Sequence, residues 1–342
     1  MPVLIDSASS LSSVLHERGL TIGLVNNMPD TALESTERQF LELLRAAAGD
    51  LPVRLRLYAL PDVPRSESGR RHVRDAYVPI EELLGSDLDG LIVTGTEPRA
   101  RCLADEPYWG SLTRLMDWAE HNTTSTIWSC LAAHAAVLHL DGIERQLLED
   151  KQFGVFDCAI VAEHPLMAGI PGRIQIPHSR WNALPEPTLA SRGYITLTRS
   201  AEAGVDTFIK QRKSLFVLFQ GHPEYDERAL LREYRRDIGR FLRRERDTYP
   251  TMPHGYFDEV SANVLAAFRS IALLERREDL LGSFPLAFLE ARLERTSRAS
   301  VVQIYANWLA YLDAQKAQRR APARSAPRLR RTGATAPAPG VV

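Results

Sequence analysis

Short apolar runs that alternate with helix-patterned segments constrain this chain more than any other feature. Leu20-Thr21-Ile22-Gly23-Leu24-Val25 ends at Asn26-Asn27 and reads as a buried strand. Residues 35–44 place Ser and Thr ahead of Glu and Gln, then Phe40, Leu41, Leu43 and Leu44, the pattern of a capped amphipathic helix. Residues 53–58 alternate strictly, as a half-buried strand does. Gly90-Leu91-Ile92-Val93-Thr94-Gly95 is a second buried strand closed by a glycine turn, and residues 107–120 are helical by pattern. Ser125-Thr126-Ile127-Trp128-Ser129 then runs straight into Cys130 and an Ala-rich helix over residues 131–140, stopped by Asp141-Gly142. This alternation predicts an α/β fold with a doubly wound, mostly parallel sheet and helices on both faces.

Later strands are predicted at 194–198, 207–210 and 215–219. The last two form a hairpin around Gln211-Arg212-Lys213, so the sheet ends antiparallel. Residues 226–246 read as one long helix. Residues 257–316 read as an added helical part, broken at Gly282 and Pro285. The stretch 61–76, rich in Pro, Ser, Arg and His, reads as a mobile loop. The expected organisation is a flexible leader over 1–18, a single α/β domain over 19–316, and a basic, Pro/Ala-rich disordered tail over 317–342.

Composition narrows the functional classes. The chain has 342 residues, 44% hydrophobic and 25% charged, which excludes global disorder and fibrous repeats. Three cysteines are too few for a disulfide framework. No apolar run is long enough to span a membrane and no signal peptide is evident, so a soluble cytoplasmic protein is expected. The net charge of −1 conceals an asymmetry. From Lys316 onward there are seven bases and no acid, which leaves the remainder at about −8. The body carries no basic stripe, so nucleic acid is not the expected partner. His72, His121, His134 and His139 show no metal-ligand spacing with acids, and no metal site is expected.

Cys130 sits where open α/β sheets place reactive groups, at the carboxyl end of a strand. A thiol at a helix N-terminus also feels the positive end of the helix dipole, which favours thiolate. The backbone N–H that follows, that of Leu131, can face a developing oxyanion. The competing reading is a small buried hydrophobe. Phe219-Gln220-Gly221-His222-Pro223-Glu224 follows a second buried strand. His222 can act as general base, and Glu224, two residues on, can orient its imidazole. The competing reading is a turn in which Glu224 or Asp226 caps the next helix. Both features lie at strand ends of one sheet, which suggests a Cys–His–Glu triad.

The sequence resembles the homoserine O-succinyltransferase/O-acetyltransferase family over roughly residues 20–312. The resemblance is carried by Asn26-Asn27-Met28-Pro29, Glu37-Arg38-Gln39-Phe40-Leu41, Gly90–Gly95, Tyr108-Trp109, Cys130, Gly154-Val155, Pro177-His178-Ser179-Arg180, the run from Gly221 to Asp226, and Asn307-Trp308-Leu309. It implies a class I glutamine amidotransferase-like fold with an added C-terminal helical segment. It also implies Cys130 as acylated nucleophile, His222 as base and Glu224 as its partner. Lys151 and Ser179 would contact the amino-acid substrate and Arg298 would grip its carboxylate. Leu131, Thr96 and Arg99 would form the oxyanion and acyl pocket, and a homodimer is implied. The chain departs from the family in having Asp30-Thr31 where two lysines usually follow Met-Pro. It also has Arg99 at the usual acyl-specificity position and lacks the polar stretch after Arg298, which marks a divergent branch.

The expected reaction is acyl transfer from acyl-CoA to homoserine through an acyl-Cys130 intermediate, with acyl-CoA as co-substrate and no other cofactor. Arg99 suits the free carboxylate of succinyl better than acetyl. Acetyl transfer, or transfer to another hydroxyl amino acid such as serine, is the alternative. Two other classes share the fold: a glutamine amidohydrolase, which usually places Gly two residues to either side of the cysteine where this chain has Trp128 and Ala132, and a non-catalytic binding protein.

Overall fold

The computed structural model describes residues 3–5, 19–293 and 298–320. Its elements, in chain order, are β1 (Val3–Ile5), β2 (Leu20–Val25), α1 (Leu33–Ala48), β3 (Val53–Tyr58), α2 (Glu67–Ala76), α3 (Ile80–Leu84), β4 (Gly90–Val93), α4 (Trp109–Asn122), β5 (Ser125–Ser129) and α5 (Leu131–Asp141). There follow β6 (Gln146–Ile160), β7 (Arg173–Ala183), α6 (Glu186–Ser191), β8 (Ile195–Thr196), β9 (Thr198–Ser200), β10 (Gly204–Val205), β11 (Thr207–Gln211) and β12 (Leu215–Phe219). The chain continues through α7 (Ala229–Leu242), α8 (Glu259–Glu275), α9 (Leu286–Arg292) and α10 (Ala299–Arg320).

The main sheet has the order β1-β3-β2-β4-β5-β12-β11-β8. Its strands from β1 to β12 are parallel, and β11 and β8 close it antiparallel, as the hairpin at 211–213 predicts. The central strands are apolar throughout because helices cover both faces. On one face Phe40, Leu43 and Leu44 of α1 and Ile304, Tyr305 and Trp308 of α10 pack against Ile22, Ile92 and Ile127. On the other, Leu112 and Met116 of α4 and the alanines of α5 pack against Val25, Val93 and Trp128. The C-terminal helix is thus part of the core. Trp308 is fully buried, and its ring N–H donates to Ser125 Oγ at 2.9 Å. No helix among the described residues is long and apolar enough to cross a membrane.

Five local expectations change. Val3–Ile5, expected within the leader, pairs in parallel with Val53–Leu55 at the sheet edge, while residues 6–18 lie outside the described residues. The expected loop at 61–76 contains α2, which Ser66 caps by accepting from Gly69 N. Asp30 explains its order, since its carboxylate accepts from Ser66 N at 2.7 Å and from Arg65 Nη1 at 3.2 Å. The acid that departs from the family pattern therefore anchors a neighbouring helix. Helix α1 begins at Leu33, and its Ala32 cap position offers no side-chain acceptor. Helix α7 is shorter than the expected 226–246 because Arg244 has a positive φ of 65° and ends it. Helix α10 continues to Arg320, past the predicted start of the tail, and Lys316 near its end donates to Asp89 and to Gly19 O. The tail from 321 lies outside the described residues.

A second, antiparallel sheet of order β10-β9-β6-β7 was not predicted from the sequence. The long β6–β7 hairpin carries Lys151 and Ser179 and stands beside the carboxyl end of the main sheet, where it walls one side of a cleft. Beyond it, α7, α8 and α9 share a separate apolar cluster.

Candidate active site

The cleft lies at the carboxyl ends of β2, β4, β5 and β12, where the strand order reverses between β2 and β4. Its volume is about 590 Å³, and Cys130, His222, Glu224, Lys151, Ser179 and Arg236 all line it. The strand ends are tied together. Asn27 N donates to Thr94 Oγ1 at 2.8 Å, and Asn27 Oδ1 accepts from Leu60 N at 3.1 Å. Cys130 N donates to Phe219 O at 2.8 Å, which fixes the end of β5 against the end of β12.

Cys130 is a strained residue. Its backbone has φ 51° and ψ −113°, in the left-handed region that favours glycine, between β5 and the first turn of α5. Such a conformation costs about 1–3 kcal/mol and persists only where the surroundings impose it. Here it aims a partly exposed sulfur into the cleft, above the free N–H groups of the α5 N-terminus. The sharp turn forms without glycine at either flanking position, because Trp128 is buried in the sheet and Ala132 in the helix layer. Room comes instead from Gly95. A Cβ there would sit 2.6 Å from Leu131 Cβ and 3.0 Å from Leu131 N. The turn after β4 therefore lies directly on the start of α5, and Thr96 beside it lines the cleft. We predict that Gly95→Ala pushes the helix start away and lowers kcat by about tenfold or more, with a smaller effect on the KM for the amino acid. Steady-state kinetics check this, and an unchanged kcat would remove Gly95 from the account.

His222 and Glu224 are both buried, and Glu224 Oε1 lies 2.8 Å from His222 Nδ1. Ser129 Oγ donates weakly to the same carboxylate at 3.4 Å. Cys130 lines the same cleft, near enough for its charge to act on the imidazole. Burial alone would lower the pKa of His222, but the charges of Cys130 and Glu224 and the hydrogen bond to Glu224 hold it well above its ordinary value. Tyr225 stacks on the ring with centroids 4.2 Å apart, and His222 N donates to Pro177 O at 2.7 Å. The ring is thereby held on its face, its edge and its backbone. Glu224 does not cap α7, since the N-cap position is Arg228 and its N–H is accepted by Asp226.

The opposite wall is a charged cluster. Lys151 Nζ lies 3.6 Å from Glu233 and 3.4 Å from Asp237, and Ser179 Oγ donates to Glu233 Oε2 at 2.6 Å. Arg236 Nη2 pairs with Asp237 Oδ1 at 2.9 Å, and Arg240 reaches Glu97 at 3.0 Å. Burial would raise the Glu233 carboxyl, but Lys151 and Arg236 hold it below the usual range. His134 also lines the cleft. Burial pushes it down to about 3, and Nε2 lies 3.1 Å from Gln220 Oε1. His139, by contrast, meets Asp117 at the surface. Among the described residues, no cluster of three His, Cys, Asp or Glu side chains could hold a metal ion.

Two expected site residues fall elsewhere. Arg99 is exposed and does not line the cleft; its backbone N–H donates to Glu106 Oε1 while Glu97 and Pro98 of the same loop face inward. Arg298 lies behind the His222–Glu224 segment, where its Nη2 donates to Glu224 O at 3.0 Å, and it too is absent from the cleft lining. The arginine that does face the cleft beside Lys151 and Ser179 is Arg236. It was missed because α7 is crowded with arginines. A usable signal was the helical spacing of Glu233, Arg236, Asp237 and Arg240, which puts all four on one face.

A family model described as homoserine O-succinyltransferase matches residues 7–319. The homoserine O-succinyltransferase of Rhodopseudomonas palustris is 50% identical over 292 residues, 85% of this chain and 88% of that one. The homoserine O-succinyltransferase of Bradyrhizobium japonicum is 51% identical over 294 residues, 86% and 90% of the two chains. Among solved structures, a glutamine amidotransferase from Thermotoga maritima aligns with a TM-score of 0.48 at 11% identity, covering 87% of this chain and 99% of that one. The match over nearly the whole chain, at half the residues identical, shows that this protein belongs to the homoserine O-succinyltransferase family.

Proposed function

We propose that this protein transfers a succinyl group from succinyl-CoA to the hydroxyl of homoserine, in two half-reactions that share Cys130, as a step of methionine biosynthesis. The observation that carries the reading is the strained Cys130 sharing one cleft with a Glu224-backed His222, opposite a wall of paired charges. The Cys130 thiolate attacks the thioester carbonyl. The oxyanion faces backbone N–H groups including that of Leu131. As the C–S bond to coenzyme A breaks, His222 gives its proton to the leaving sulfur. Thioester is exchanged for thioester, so this half is nearly balanced and a thiol suits it. Acylation removes the sulfur's negative charge, a principal cause of the raised pKa of His222. Burial then acts unopposed by the sulfur, and the imidazole becomes a competent base. It takes the proton of the homoserine hydroxyl as that oxygen attacks the acyl carbonyl, and Cys130 leaves as thiolate. Neither half changes an oxidation state, and we assign the reaction no metal or redox cofactor.

Arg236 is the group we assign to the homoserine carboxylate, in place of Arg298. It stands at the cleft surface with a planar fork suited to a carboxylate, and Glu233 and Asp237 beside it suit the substrate ammonium. We expect Arg236→Ala to raise the homoserine KM by about 10–100-fold, corresponding to ~1.5–3 kcal/mol for a charged hydrogen-bonded pair, with little change in the rate of Cys130 acylation. Arg298→Ala should not produce that split. Equal losses in both half-reactions for Arg236→Ala would remove the assignment. The test of the function itself is a product assay with homoserine or serine as acceptor and succinyl-CoA or acetyl-CoA as donor. O-succinylhomoserine as the dominant product supports the reading, and its absence ends it.

A further inference from the structure

A succinyl group on Cys130 brings a free carboxylate into the cleft, and burying that charge without a partner is costly. The cleft holds six side-chain cations, Arg145, Lys151, Arg180, Arg236, Arg240 and Arg246. Lys151, Arg236 and Arg240 are already paired with Glu233, Asp237 and Glu97 on the amino-acid wall. Arg246 bends back to Thr248. Arg180 is buried, and its guanidinium is spent on His178 Nδ1, Asn182 O and Ala203 O. Arg145, on the segment between α5 and β6, is different. It makes no ion pair among the described residues, and its one hydrogen bond runs from Nη2 to Arg101 O at 3.2 Å. Nε and Nη1 are left without a protein acceptor. The neighbouring Glu106 acts on Arg145 through its charge but forms no ion pair with it: Oε1 accepts from Arg99 N and Ala100 N, and Oε2 is buried without a hydrogen-bond partner.

We propose that Arg145 receives the free carboxylate of the succinyl group and thereby sets the choice of acyl donor. The inference rests on the reading of the cleft as an acyl-transfer site, and deepens it by moving the donor-selecting cation from Arg99 to Arg145. Arg145 and Cys130 line the same cleft. Arg145 is half-buried, and burial lowers its pKa against the opposing charges of Tyr108 and Glu106. A planar fork with two open donors matches a carboxylate bidentately. Acetyl and butyryl groups offer it nothing. Arg180, whose charge acts with that of Arg145 on His134, adds positive field without spending a donor on the acyl group.

The test is kcat/KM with homoserine for succinyl-CoA and for butyryl-CoA, a donor of similar length that lacks the carboxylate. Wild type, Arg145→Gln, Arg145→Lys and Arg99→Gln are compared. Wild type is expected to favour succinyl-CoA. The succinyl-to-butyryl ratio should fall about 100-fold in Arg145→Gln and about tenfold in Arg145→Lys, which keeps the charge but loses the fork. The ratio is internal to each preparation, so a partly unfolded variant does not distort it, and the lysine variant reports if the glutamine variant fails to fold. A ratio within about threefold of wild type in either Arg145 variant, or a fall in Arg99→Gln instead, overturns the proposal while the acyl-transfer reading stands. Wild-type preference for butyryl-CoA overturns it as well. No transfer to homoserine from either donor by wild type overturns both.

Discussion

Replacement of Cys130 by alanine should abolish both turnover and acyl labelling, leaving a folded protein. Among the described residues that line the cleft, Cys130 is the only thiol, and it stands at the α5 N-terminus in the same cleft as His222. Without the sulfur neither half-reaction has a covalent carrier, and the loss should reach the assay background. The backbone makes a second, opposite prediction for stability. A non-glycine residue at φ 51° stores about 1–3 kcal/mol of strain. Cys130→Gly should therefore raise the unfolding free energy by about 1 kcal/mol or more while destroying activity. Denaturant unfolding measures this, and a glycine variant no more stable than wild type would mean that the turn is not strained.

Removal of the imidazole is the second large effect. His222→Ala should lower kcat by about 10³-fold or more, since His222 acts as acid in one half-reaction and base in the other. Glu224→Gln should cost less and should also shift the pH profile. Glu224 is one of the anions that hold His222 above its ordinary pKa, so its neutralisation lowers that pKa. The acylation step needs the protonated ring as acid, and its rate is lost as pH rises through the pKa of His222. The alkaline limb of acylation should therefore move to lower pH in Glu224→Gln. A limb that stays in place, or moves upward, would show that Glu224 does not act through the imidazole.

The parts of this fold that sequence reasoning reached are those with a strict local period. The apolar runs at 20–25, 90–93 and 125–129 each became a central strand, because buried parallel strands admit little but apolar residues. Cys130 and His222 were legible for the same reason: Cys130 directly follows the run at 125–129, and His222 stands three residues after the run at 215–219. The β6–β7 hairpin was not, since β6 carries Glu149, Asp150, Lys151 and Gln152 in succession and its register shifts between Leu147 and Gln152. A bulge breaks the alternation that betrays a strand. Helix α2 was hidden by its charged composition, and only the long-range contact of Asp30 with Ser66 and Arg65 makes its start intelligible. Which arginines line the cleft is hidden in the sequence for a related reason. A guanidinium reaches far from its Cα, so neighbours in sequence do not say which cleft it enters. The family resemblance points to Arg99 and Arg298, whereas Arg145 and Arg236 are among the arginines that line the cleft.

The central claim is that one sulfur carries the acyl group between donor and acceptor. Intact-mass and peptide mass spectrometry after mixing the protein with succinyl-CoA alone measure it directly. The account predicts a single succinyl adduct on the Cys130 peptide, which disappears when homoserine is added. Turnover without any adduct on Cys130, or an adduct there that homoserine fails to discharge, would contradict it.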